Sequence, residues 1–167
     1  QQTINFQQKD NLDLIYEDPH NFTLNSSSFK AGERIAEMGA CINCHFYGAE
    51  KPKQDALTWA PNLVLTKERL RPEWLVEWFI NPQDVMPGTK MPAPYIPTEE
   101  PQNSIREVWG SDVAKISRDS TKLYKSLIDW MWGMEGRKDV SSIVKRHLNS
   151  QGYGFIIEEE DDWGDEW

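Results

Sequence analysis

The sequence predicts an all-α fold of about three to five helices joined by long loops, with an irregular N-terminal arm and an acidic C-terminal extension. Apolar residues recur at helical spacing in several windows, and no pair of alternating apolar and polar runs suggests strands. Prolines at 82, 87, 92, 94, 97 and 101 rule out regular helix and interior strand across residues 82–101.

Residues 1–27 form the arm: Asn, Gln and Asp dominate and no helical or alternating period persists. Ser27 or Ser28 can cap a first helix from about Phe29 to Gly39, with Ile35 and Met38 on its inner side. From His45 to Thr66 the chain carries Gly48, Pro52 and Pro61 and reads as a loop long enough to wrap a ligand. Pro72 suits the first turn of a second helix, whose stripe of Trp74, Leu75, Trp78 and Phe79 ends at Asn81 and Pro82. The proline-laden stretch after it is a turn-rich wall. Leu123, Leu127, Trp130, Met131 and Met134 define a third helix over Thr121–Met134, which Gly133 and Gly136 help to end. A short helix over Val140–Leu148 precedes the tail. The domain therefore occupies residues 28–135 and the extension residues 136–167.

With 167 residues there is room for one ordinary domain, not two full cores. Hydrophobic residues make up 38% and the mean hydropathy is negative, so the core is small and a buried cofactor would help to fill it. No apolar run approaches the roughly 18 residues that a membrane span requires, and the polar start at Gln1 does not read as a signal peptide. The net charge of −9 argues against nucleic acid, whose phosphates are neutralised by Lys and Arg, and favours a cationic partner surface. Much of the acid is local: Glu158, Glu159, Glu160, Asp161, Asp162, Asp165 and Glu166 crowd the C-terminus.

The chemistry centres on Cys41-Ile42-Asn43-Cys44-His45, which contains both cysteines of the chain. Two thiols on one short turn can reach the two vinyl groups of a single haem while the next residue offers its imidazole to the iron. Rival readings are a thioredoxin-like redox pair and half of a zinc site. The first expects a strand and helix frame, and the second needs further ligands where only His20 and His147 remain.

Asn81-Pro82, then Pro87-Gly88-Thr89-Lys90-Met91 four residues later, resembles the methionine loop of class I (monohaem) c-type cytochromes. The resemblance assigns Met91 as sixth iron ligand opposite His45, in preference to the nearby Met86 or to bis-histidine ligation by His20 or His147. Pro61-Asn62-Leu63 is similar to the family segment whose proline carbonyl orients the proximal histidine, which makes Pro61 its partner here. Gly32 and Ile35, with Leu127 to Met131, resemble the family's crossed first and last helices, Gly32 permitting close approach and Trp130 filling the crossing. The likeness covers about residues 31–134 and implies a cytochrome c-like fold wrapped around one covalently attached haem c. The chain departs from it between Pro92 and Ser120, a stretch much longer than the link in compact members. Lys90, Arg69 and Arg71 could neutralise propionates, with Trp59 and Asn62 as hydrogen-bond donors; Trp59 and Arg71 are carried as cofactor contacts.

Ligation by His45 and Met91 would leave iron no vacant position, which implies an electron carrier of relatively high potential and not an enzyme in its own right. A haem enzyme or gas sensor would need a weak or displaced Met91 and a polar distal group. The arm, the extension and the tail's Trp163 and Trp167 favour the cytochrome c subunit of a larger respiratory or redox membrane complex over a freely diffusing periplasmic shuttle. Expected partners are a redox donor and acceptor and the complex's other subunits. The resemblance implies haem attachment outside the cytoplasmic membrane, hence a periplasmic or otherwise exported protein, joined to the membrane through partners without a span of its own.

Overall fold

The computed structural model describes residues 23–155, which form eight α-helices and three single-turn 3-10 helices without a strand. Most of the N-terminal arm, His20, and the acidic tail with Trp163 and Trp167 lie outside the described residues.

Helix α1 (Ser26–Met38) starts earlier than the serines predict, because Asn25 is the cap: its side chain accepts the N–H groups of Ser27 and Ser28, both at 3.1 Å. The buried line of α1 runs through Ala31, Gly32, Ile35 and Ala36, and Met38 falls off its edge, 41% exposed instead of facing inward. Short helix α2 (Thr66–Arg69) closes the long loop, and α3 (Pro72–Ile80) follows with Pro72 in its first turn and Leu75, Val76 and Phe79 buried. A single turn, α4 (Pro82–Val85), opens the proline-rich wall. Proline is tolerated there because a first-turn N–H has no helical partner to lose.

The stretch after Pro92 contains two helices that the sequence reading left without a shape, α5 (Gln102–Trp109) and α6 (Ser111–Ile116). Gly110, at φ +87°, makes the turn between them. Ile105, Trp109, Val113 and Ala114 bury against the shared core, and Arg34 of α1 donates to the Val108 carbonyl at 2.7 Å. The pair thus packs on α1 and raises the helix count beyond three to five.

Central to the fold is α7 (Ser120–Gly133), capped by Asp119 and buried continuously from Ser126 to Trp132. A helix buried all round must be enclosed by others, and α1, α2, α3 and α6 contact it. Its crossing with α1 is the most extensive. At Gly32 an added Cβ would stand 1.9 Å from the Ser126 carbonyl oxygen and 2.8 Å from the Trp130 Cβ, so only glycine fits. The last helix, α8 (Ser141–Ser150), lies in the extension.

Within α7, Asp129 is fully buried, with Lys125 Nζ at 3.0 and 2.8 Å from its two oxygens. Burial pushes its carboxyl up to about 7 from 3.8. Burial thus works against the ionised form, while the Lys125 ammonium pulls toward it. The carboxyl's contribution to stability is fully present below the unfolded value and is lost as pH rises through about 7. Between about pH 5 and about pH 8 the melting temperature of the wild type should fall relative to that of Asp129→Asn, which has no such carboxyl to ionise. Parallel melting curves across that range would contradict the assignment.

Candidate functional site

Helix α1 ends at Gly39, whose N–H donates to the Ile35 carbonyl at 2.8 Å, and Ala40 then turns left-handed at φ +52°. That sparsely populated conformation breaks the helix and starts the Cys41–Asn43 turn. The amides of Cys44 and His45 both donate to the Cys41 carbonyl, at 3.2 and 2.9 Å, so the two thiols and the imidazole issue from one turn. Cys41 packs against the core, and the Cys44 Sγ lies 3.7 Å from Gln54 Oε1. The cysteines are not joined in a disulfide. Burial pushes the Cys41 thiol up to about 11, with Cys44 adding a little. A nucleophilic redox cysteine needs the opposite shift. Among the described residues there is no strand, as a thioredoxin-like pair would require, and no group of three His, Cys, Asp or Glu side chains able to hold a metal ion; His20 lies outside them.

The residues before Pro61 return alongside the Cys41–Asn43 turn. The Ala60 amide donates to the Cys44 carbonyl at 2.7 Å in a short parallel bridge between His45 and Ala60, and the Leu63 amide donates to the Phe46 carbonyl at 3.0 Å just beyond it. This brings the Pro61 carbonyl to 2.8 Å from His45 Nδ1. A carbonyl can only accept, so Nδ1 carries the proton and Nε2 keeps its lone pair. Burial holds the imidazole below its ordinary range while the Pro61 bond pulls the other way.

Met91 and Met86 differ sharply. Met86 is 54% exposed, whereas Met91 packs on the core and its sulfur accepts the Trp78 indole N–H at 2.7 Å. Trp78 in turn stacks on Trp74, one helical turn earlier, with ring centroids 5.0 Å apart. The loop before Met91 is pinned by Gln83, which accepts the Gly88 amide at 3.2 Å and donates to the Thr89 carbonyl. Thr89 Oγ1 then accepts the Met91 amide at 3.3 Å.

Among the remaining candidates, Trp59 spends its indole N–H on the Gln54 carbonyl at 3.0 Å, and its ring meets Phe46 and His147. A propionate would have to displace that bond. Asn62 is likewise committed, its amide being saturated by backbone groups. Arg71 is exposed ahead of α3. Arg69 lines an open cleft of about 380 Å³ with Pro61, Asn62, Lys138 and Val140.

Sequence reasoning missed Gln83 as the clip of the methionine loop and Trp78 as the donor to its sulfur. Gln83 carried a weak signal, lying five residues before a loop glycine. Trp78 read only as part of an apolar stripe. Comparison of the chain with protein-family models, with curated proteins and with solved structures gives no match.

Proposed function

We propose that this chain, within a cytochrome c-like fold, carries single electrons through one covalently attached haem c, which His45 and Met91 would ligate. The observation that carries the reading is the attachment turn itself: two thiols and an imidazole on one turn, the imidazole held at Nδ1 by Pro61 with Nε2 free. The donor set fits haem, because covalent attachment uses two thiols and ligation uses a neutral imidazole and a thioether.

When bound, haem supplies a reversible one-electron couple. Cys41 and Cys44 anchor it, and their turn sets where His45 begins. Pro61 selects the tautomer and makes the imidazole a stronger donor. Met91 would offer its sulfur from the loop after α4, and the Trp78 N–H donated to that sulfur would draw electron density from it. Ligation by both His45 and Met91 would leave no position for a substrate, which supports a carrier and not an enzyme in its own right.

The chain acts as the cytochrome c subunit of a larger respiratory or redox complex, in the periplasm or an equivalent exported compartment, between a protein donor and a protein acceptor. Support comes from the C-terminal end of the described residues. Tyr153 and Phe155 are exposed, with ring centroids 6.2 Å apart, and Asn149 holds the Phe155 backbone through two bonds at 2.9 and 2.7 Å. This aromatic pair leads directly into the acidic, tryptophan-bearing tail. No helix among the described residues is long and apolar enough to cross a membrane.

The test is purification of the full chain from native membranes, with haem staining after denaturing electrophoresis. The expected result is haem that survives denaturation, together with co-purifying redox subunits. Loss of haem to acid and organic solvent would overturn the attachment. Covalent haem without companions would return the chain to the freely diffusing class.

A further inference from the structure

We infer that Asn62 is a positioning residue for His45 and that residues 136–139 are its anchor, so that the C-terminal extension sets the orientation of the imidazole; this rests on the reading of His45 as an iron ligand. Asn62 is only 5% exposed, and both ends of its amide are engaged. Its Oδ1 accepts the amides of Gly48 at 3.0 Å and Val64 at 3.3 Å. Its Nδ2 donates to the carbonyls of Arg137 at 2.9 Å and Lys138 at 3.2 Å, with a longer contact to the Gly48 carbonyl at 3.5 Å. One side chain therefore joins the attachment loop to a segment some 75 residues later.

The link to His45 is covalent geometry. The Pro61 carbonyl and the Asn62 amide belong to one planar peptide, so locking Asn62 locks the direction of the oxygen that His45 Nδ1 bonds at 2.8 Å. The anchor is itself braced. Arg137 donates to the Asp139 carbonyl at 2.6 Å and to buried Ser142 at 2.8 Å, and Asp139 accepts the Ser141 amide at the start of α8 at 2.8 Å. Two glycines let the segments touch: a Cβ on Gly136, at φ +141°, would stand 3.5 Å from the Gly48 Cα. Farther along α8, His147 meets Trp59 of the same loop with ring centroids 4.7 Å apart. Residues 136–150 are thus a strap over the attachment loop.

Two full-length holoprotein variants test this. Asn62→Asp retains an acceptor for Gly48 and Val64 but turns the donor toward the strap into an acceptor facing two carbonyls. Gly136→Ala strains the strap at its positive φ without touching Asn62 or His45. The readouts are hydrogen exchange at His45 Nδ1 in the ferrous state, followed by NMR, and the reduction potential. Exchange should quicken by about tenfold or more, the equivalent of one net hydrogen bond, and the potential should rise as the imidazole loses basicity. A variant that melts lower with both readouts unchanged would make the strap merely structural and overturn the inference. Should Asn62→Asp fail to fold, Gly136→Ala decides alone. A wild type without covalent haem would instead sink the reading of the site, and haem staining identifies that failure separately.

Discussion

Replacing Gly32 with alanine is expected to destabilise the protein by about 3 kcal/mol or more, at the upper end of overpacking effects. In an isolated helix the same change would stabilise by roughly 0.5–1 kcal/mol, because glycine carries the larger entropy loss. Tertiary contact reverses the sign. The new Cβ would stand 1.9 Å from the Ser126 carbonyl oxygen, which belongs to the backbone and cannot swing aside. Helices α1 and α7 would have to separate, loosening the core that Ile35, Leu127 and Trp130 help to form. Thermal melting of the full chain should fall by on the order of 10 °C. Gly154→Ala, where an added Cβ meets nothing within 4 Å, is the control and should leave the midpoint in place. Equal midpoints for both variants would mean that the crossing is looser than this.

On the proposed haem ligation, Met91→Ala and Met86→Ala should separate completely in the oxidised, haem-loaded chain. Met91 is the half-buried thioether in contact with the core, and Met86 is largely exposed. The ferric sulfur-to-iron charge-transfer band should vanish in Met91→Ala and persist in Met86→Ala. Met91→Ala should also admit added small ligands such as imidazole or azide, because a coordination position has opened. It should lose about 1 kcal/mol or more in addition, since the Trp78 N–H is left without its sulfur acceptor. A charge-transfer band that persists in Met91→Ala and disappears in Met86→Ala would reassign the ligand.

The legible parts of this protein are those written in local order. Pro72 at a helix start and Asn81-Pro82 at its end delimit α3 because proline acts on its own backbone and its immediate neighbours. Helix α7 was visible through its apolar period, and α8 was legible to within two residues at its far end. The cap of α1 was misplaced by competition among adjacent candidates: Asn25, Ser27 and Ser28 all have capping side chains, and the backbone conformation chooses between them. Helices α5 and α6 escaped notice for a different reason. At eight and six residues they run for about two turns at most, so the apolar spacing recurs too few times to stand out, and they are held by contacts with each other and with α1 instead of by their own sequence.

By itself the sequence determined that the chain is helical, that both thiols and an imidazole share one turn, and that Gly32 stands ahead of that turn on the first helix. Each depends on residues within a few positions of one another, where spacing dictates geometry. Only the tertiary structure decided what the remaining side chains are free to do. Trp59 and Asn62 read as donors awaiting a cofactor, yet the folded chain engages both, Trp59 with the Gln54 carbonyl and Asn62 with the Arg137 and Lys138 carbonyls. The extension read as an appendage, yet its Arg137 and Lys138 carbonyls accept from Asn62 beside the His45 partner Pro61. The physical reason is common to these cases: a buried polar group must find a partner, and chain closure brings that partner from any distance along the sequence.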